Sequence, residues 1–154
     1  MINVVFVCLG NICRSPMAEA VLRNKIASKN LQGQINVDSA GTGDWHIGHP
    51  PHEGTRKILD EYQISYEGMV ARQVTSQDFE QFDYVLCMDQ ANLGNLRKLP
   101  GGENAVIIPF MELLPDEVLR EVPDPYFTGN FEEVYALINA GCDVLLDMIV
   151  EDKL

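Results

Sequence analysis

The stretch Asn3-Val4-Val5-Phe6-Val7-Cys8-Leu9-Gly10-Asn11-Ile12-Cys13-Arg14-Ser15-Pro16 decides how this chain folds. Asn3 to Cys8 is an apolar run of β-branched and aromatic residues, long enough for a strand buried on both faces and too short for a core helix. Ser15 followed by Pro16 is an N-cap with proline at the first helical position. Met17, Val21, Leu22 and Ile26 continue at helical spacing, which predicts a helix reaching about Lys29. A buried strand that turns directly into a helix opens an α/β fold, and ligands bind such folds beyond the carboxyl ends of the strands, where Cys8 stands.

Working outward, Ile35 to Ser39 reads as a second strand closing at Ala40-Gly41, and Gly41 to Gly54 as a turn-rich surface loop holding Trp45, His46, His49 and His52. Ile58, Leu59 and Tyr62 mark a short amphipathic helix, and Thr75 with Asp78 three residues on resembles a capping box. Tyr84 to Met88 is a third buried strand. A helix from about Gln90 to Lys98, a fourth strand at Ala105 to Ile108 and a long loop from Pro109 to Gly129 follow. Asn130 with Glu133 caps a last helix, in which Val134, Leu137, Ile138, Cys142, Leu145 and Ile149 fall at near-helical spacing and pack on the sheet. Strands separated by helices imply right-handed crossovers and a parallel sheet. No repeat, low-complexity tract or linker divides the 154 residues, so one domain, 1–154, is expected.

Apolar residues make up 46% of the chain and charged ones 22%, a composition that can bury a core. The 11 Lys and Arg against 23 Asp and Glu leave a net charge of −12, a field that repels phosphate backbones and anionic lipid. Neither nucleic acid nor a membrane is therefore expected as a partner. The apolar amino-terminal run lacks a basic flank and is too short for a signal core, and no apolar run approaches the ~20 residues of a membrane span. A cytoplasmic location is expected. The four cysteines, Cys8, Cys13, Cys87 and Cys142, show no zinc spacing, and the three histidines have no further ligand nearby, so no metal is expected.

The chemistry concentrates in the turn after the first strand. Successive N–H groups of Leu9, Gly10, Asn11, Ile12, Cys13, Arg14 and Ser15 form an anion nest, with Gly10 free to take a backbone conformation closed to other residues. The helix that follows adds the positive end of its dipole, and Arg14 offers a fork for two phosphate oxygens. The same surroundings favour a thiolate at Cys8, to which the Ser15 hydroxyl can donate, making Cys8 an activated nucleophile. A structural cysteine ending a core strand is the plain alternative. Gly10, Arg14 and Ser15-Pro16, each where an anion loop needs it, weigh against it. Transfer of a phosphoryl group to Cys8 also needs a proton donor for the leaving oxygen, and Asp124 in Val122-Pro123-Asp124-Pro125-Tyr126-Phe127 is the candidate, an ordinary Asp-Pro turn being the alternative.

Val7 to Pro16 together with Asp124-Pro125-Tyr126 resembles the low-molecular-weight protein tyrosine phosphatases. So do Asp38-Ser39-Ala40-Gly41-Thr42, Trp45 with Gly48, Ala71-Arg72-Gln73, and Phe82 to Asp89 with Asn92, so that the likeness spans the chain. The resemblance implies a four-stranded parallel sheet of flavodoxin-like order 2-1-3-4 with helices on both faces. It implies hydrolysis of phosphotyrosine in a protein or peptide without a cofactor, with inorganic phosphate as product. By motif, Cys8 attacks phosphorus, and Arg14 and the loop amides hold the equatorial oxygens. Asp124 protonates the phenolate and then activates water, Ser15 stabilises the thiolate, and Asn11, aided by Ser39, supports the loop. Leu9, Trp45, Tyr126 and Phe127 line the ring slot. Cys13 matches a second loop cysteine that forms a reversible disulfide with the nucleophile.

Two positions depart from many animal members. Met69 stands where they carry a histidine that supports the loop asparagine, so Asn11 needs other partners, and Phe127 replaces the second of two tyrosines. Arsenate reductases share the fold but need two mobile cysteines, which Cys87 and Cys142 do not resemble. Protein arginine phosphatases are similar in loop and fold but carry a smaller, polar threonine at the position of Ile12, whose bulk here favours a phenyl ring. A phosphopeptide-binding module or a thiol redox sensor would keep Arg14 without needing Asp124.

Overall fold

Alternate side chains of one central strand face two different helical layers, and this organises the molecule. The computed structural model describes all residues, 1–154. In β1 (Ile2–Cys8), Val4, Phe6 and Cys8 face one side, against Met17, Ala18, Val21 and Leu22 of α1 (Arg14–Ser28) and Val134, Ile138, Cys142 and Leu145 of α6 (Phe131–Lys153). Val5 and Val7 face the other side, packing with Leu96 of α4 (Gln90–Arg97). A strand buried on both faces needs apolar residues at both parities, and Val4 to Val7 are all solvent-inaccessible.

The sheet is parallel, with β2 (Ile35–Gly41), β1, β3 (Tyr84–Cys87) and β4 (Ile107–Pro109) in the order β2-β1-β3-β4. Register pairs Cys8 with Gly41 and Val7 with Cys87. The chain leaves β1 toward one edge and returns to the other side, so the strand order reverses beside β1, where ligands of such sheets bind. The remaining elements are α2 (Glu53–Glu61), α3 (Asp78–Gln81), a 3-10 turn over Phe110–Leu113 and α5 (Pro125–Thr128).

The elements differ from the sequence reading at their ends. Ser15 is not an N-cap: α1 starts at Arg14 with Cys13 at the cap, so Pro16 lies within the first turn, where no intrahelical N–H bond is lost. The Ser15 hydroxyl is spent on tertiary partners instead. The fourth strand begins two residues later than expected, because Ala105 and exposed Val106 precede the ladder. The long loop is not structureless. It contains the 3-10 turn, whose Phe110 is fully buried against Phe6, and α5 near its end. Only one half of the Thr75–Asp78 box forms, with Asp78 Oδ2 accepting the Thr75 N–H at 2.8 Å. The cap of α6 is as expected, Asn130 Oδ1 accepting from Glu133 N–H at 3.0 Å.

Candidate active site

Beyond the carboxyl end of β1 the chain makes a bend, Leu9 to Cys13, before entering α1. The backbone N–H groups of Gly10, Asn11, Ile12 and Cys13 donate to no acceptor in the protein. Unpaired N–H groups gathered in one bend next to a helix N-terminus attract an anion. The left-handed residue of this bend is Asn11, at φ 56, and not Gly10 as the sequence suggested. At Gly10 space is tight: a Cβ there would lie 3.0 Å from Cδ2 of His46, whose side chain would have to give way.

Asn11 holds its strained conformation through its whole amide. Nδ2 donates to Ser15 Oγ and to Ser39 Oγ, both at 2.9 Å, and Oδ1 accepts the Arg72 N–H at 2.9 Å. Arg72 is itself fixed, its guanidinium bridging Asp38 and the buried Asp78. The backbone of Arg72 thus supplies support that a histidine at the position of Met69 would otherwise lend, and Met69 lines a small cavity behind the bend together with Asn11 and Ser39. On the other side of Ser15, its Oγ lies 2.9 Å from Cys8 Sγ.

Arg14 is 2% exposed and its guanidinium is divided between partners. Nη1 donates to Asp89 Oδ2 at 2.7 Å and to the Val122 carbonyl at 2.9 Å, while Nη2 meets Asp124 Oδ2 at 3.3 Å. Nε is buried without a partner. The Nε–Nη2 edge is therefore the fork that an oxyanion can engage. Burial works against the charge on Arg14, but Cys8, Asp89 and Asp124 outweigh it and hold the guanidinium above its ordinary pKa. Asp124 caps α5, its Oδ1 accepting the Tyr126 N–H at 3.1 Å, and this directs the other oxygen to Arg14.

These residues meet in one cleft of about 240 Å³, with Cys8, Cys13 and Arg14 at its base and Asp124 on one side. Its walls are Leu9, Ile12, Trp45, His46, Tyr126 and Phe127. Trp45 is 65% exposed and Phe127 77%, so the walls open to solvent as a slot. Trp45 lies so close over residue 43 that a Cβ there would come within 2.0 Å of its ring, and Gly43 N–H anchors that turn to the Leu9 carbonyl at 2.9 Å. Asn11, Ser15 and Ser39 stand behind the bend and do not line the cleft. Cys13 is a thiol whose pKa burial, then Cys8 and Asp124, pushes up to about 12.

A profile of the low molecular weight phosphotyrosine protein phosphatases matches residues 3–154. The chain belongs to this family. It is 55% identical over 154 residues to the low molecular weight protein-tyrosine-phosphatase YfkJ of Bacillus subtilis, covering 99% of both chains. To the low molecular weight protein-tyrosine-phosphatase PtpA of Staphylococcus haemolyticus it is 45% identical over 152 residues, covering 99% of this chain and 96% of the relative. The crystal structure of YfkJ superposes with a TM-score of 0.97 over 100% of this chain and 98% of that one.

Within this phosphatase fold, three contributors escape a reading of spacing. Asp89 reaches Arg14 from 75 residues away, although its Asp89-x-x-Asn92 pattern marks it as a helix cap. His46 enters the cleft wall beside Trp45, and no spacing to other polar residues marks it. Arg72 acts through its backbone N–H, which no side-chain pattern encodes. The other histidines are engaged locally: His52 Nδ1 accepts from Gly54 N–H to cap α2 and its ring stacks on Phe131, while His49 sits beside His46. No helix is long and apolar enough to cross a membrane.

Proposed function

We propose that residues 1–154 form one protein tyrosine phosphatase unit that hydrolyses phosphotyrosine in proteins or peptides through a cysteinyl-phosphate intermediate. One observation carries the reading: Arg14 touches Asp124, 110 residues away, in the same cleft whose base holds Cys8. A phosphate placed on the Arg14 fork and the free amides of the bend has a thiol on one side and a carboxyl group on the other, the arrangement that in-line displacement requires.

In the first step Cys8 Sγ attacks phosphorus and the bond to the tyrosyl oxygen breaks, Asp124 delivering a proton to the departing phenolate. In the second, Asp124 as carboxylate takes a proton from water, which attacks phosphorus. Cys8 departs as thiolate and inorganic phosphate is released. The Ser15 hydroxyl at 2.9 Å donates to Cys8 whenever sulfur carries negative charge, and Asn11 with Ser39 keeps the bend in the form that presents its N–H groups. Leu9, Trp45, Tyr126 and Phe127 hold the phenyl ring. Ile12, 8% exposed in the cleft wall, fills space that a guanidinium would need, which favours phosphotyrosine over phosphoarginine. The buried thiols of Cys87 and Cys142 speak against a disulfide relay of the arsenate reductase type.

The mechanism is tested by acid-quenching the enzyme during turnover of an aryl phosphate. Phosphate covalently bound to a peptide containing Cys8, absent from Cys8→Ser, is expected, and turnover without any such adduct would contradict it.

A further inference from the structure

Behind the bend a hydrogen-bond chain runs from the reactive thiol to a buried carboxylate that no motif singles out. Glu19, on the first turns of α1, is 5% exposed, and its Oε1 accepts from Ser39 Oγ at 2.7 Å. Its other oxygen pairs with Arg23, one turn along the helix and half exposed. We propose that Glu19 is a positioning residue of the phosphatase site, which acts through Ser39 and Asn11 to fix the direction of the hydrogen bond between Ser15 and Cys8. The proposal rests on the reading of Cys8 as the nucleophile.

The supply of protons along the chain fixes each direction. A carboxylate only accepts, so the single hydroxyl proton of Ser39 goes to Glu19, and toward Asn11 the Ser39 oxygen is left as an acceptor. That acceptor takes one proton of Asn11 Nδ2, and the second goes to Ser15 Oγ. The Arg72 N–H on Oδ1 holds the amide in the same sense, because an N–H has nothing to offer Nδ2. Ser15 Oγ thus accepts from Asn11 and keeps its own proton for Cys8 Sγ at 2.9 Å, its other acceptor being the Ala40 carbonyl at 3.5 Å. Two links donate toward the carboxylate and two toward sulfur, with the Asn11 amide, a donor both ways, as the pivot.

Without an acceptor at position 19, the Ser39 proton can turn toward Asn11, which leaves the Arg72 N–H on Oδ1 to set the amide without help from Ser39. Ser15 can then accept from the thiol as readily as donate to it. Burial is the largest influence on Glu19 and leaves its pKa raised, while the Ser39 hydrogen bond and Arg23 pull the other way, toward the charged form that the chain requires. Asp38, close by on β2, raises it.

The test compares Glu19→Leu, which removes the acceptor, with Glu19→Gln, which keeps an amide oxygen for Ser39 but no charge. The readout is the rate of iodoacetamide alkylation at Cys8, located by mass spectrometry, at one mildly acidic pH. Glu19→Leu is expected to slow alkylation about tenfold, on the scale of a hydrogen bond to a charged group, and Glu19→Gln to recover it to within about threefold of wild type. A folded Glu19→Leu with the wild-type rate, or a Glu19→Gln as slow as Glu19→Leu, overturns the proposal. Should Glu19→Leu not fold, Ser39→Ala breaks the same link, with the same tenfold loss expected and a wild-type rate contradicting it. Alkylation needs no turnover, so the outcomes separate: a wild-type Cys8 no more reactive than Cys13 removes the nucleophile itself, whereas a reactive Cys8 indifferent to position 19 removes only this proposal.

Discussion

Asp89 grips Arg14 with one carboxylate oxygen and caps a helix with the other. Its Oδ2 accepts from Arg14 Nη1 at 2.7 Å, and its Oδ1 accepts the Asn92 N–H at 2.8 Å, while Asn92 Oδ1 returns a bond to the Asp89 N–H at 3.2 Å. This capping box ties the carboxylate to α4, and α4 to the end of β3, so an interior strand of the sheet sets the orientation of the guanidinium. Replacing Asp89 by Asn keeps a cap acceptor but loses the charged partner of Nη1. Competitive inhibition of Asp89→Asn by inorganic phosphate is expected to weaken about tenfold or more, the scale of one charge-assisted hydrogen bond. An unchanged inhibition constant would show that Val122 and Asp124 orient Arg14 without it.

Asp124→Asn preserves a side-chain acceptor for the Tyr126 N–H and thus the start of α5, while removing the acid and base. The turnover number for phosphotyrosine peptides is expected to fall by about 10² to 10⁴. The loss of the first step is expected to be smaller for aryl phosphates whose phenols leave without protonation. A stopped-flow comparison of the phenol burst across such a series checks this, and an equal loss for all leaving groups argues against a proton donor.

Oxidation gives a third expectation. Cys13, with its pKa near 12, is a poor target for peroxide by itself, so the oxidant acts on Cys8 first. The sulfenic acid formed at Cys8 then condenses with the Cys13 thiol, losing water and forming the disulfide. Mild peroxide followed by peptide mapping is expected to find Cys8 joined to Cys13 in the wild type and overoxidised Cys8 in Cys13→Ala. Overoxidised Cys8 with an untouched Cys13 in the wild type would refute it.

The buried thiols also dictate stability in alkali. Burial pushes Cys13 and Cys87 from 9.0 up to about 12, and Cys142 is raised as well. The folded protein therefore keeps protons that the unfolded chain gives up, so stability falls as pH rises from about 9 through 12. The urea midpoint is expected to decline over this interval, with a flatter slope for Cys87→Ala. A midpoint that holds level or rises would contradict the assignment.

The fold was legible because its signals are local. Val4 to Val7 are apolar at both parities and belong to a strand covered on two faces, and Asn130 with Glu133 marks the start of α6 within four residues. The bend was legible too, since Cys8, Arg14 and Ser15 lie within a few positions of one another. What the sequence hid was formed by distant chain segments. Asp89 and the Val122 carbonyl converge on Arg14 only because β3 lies beside β1, and Arg72 supports Asn11 through a backbone N–H. The misreadings at Ser15 and Gly10 share a cause. Local rules assign serine before proline to a cap and glycine to the left-handed position, yet here tertiary hydrogen bonds claim the serine and hold Asn11 in that conformation.

The central claim is that Cys8 and the slot above it act on an aryl phosphate. Its most direct measurement is free phosphate released from phosphotyrosine and phosphoarginine peptides by the wild type and by Cys8→Ser. Turnover of phosphotyrosine, abolished in Cys8→Ser, is expected, with phosphoarginine the poorer substrate. Preference for phosphoarginine would overturn the role given to Ile12, and release of no phosphate from either would contradict the phosphatase reading itself.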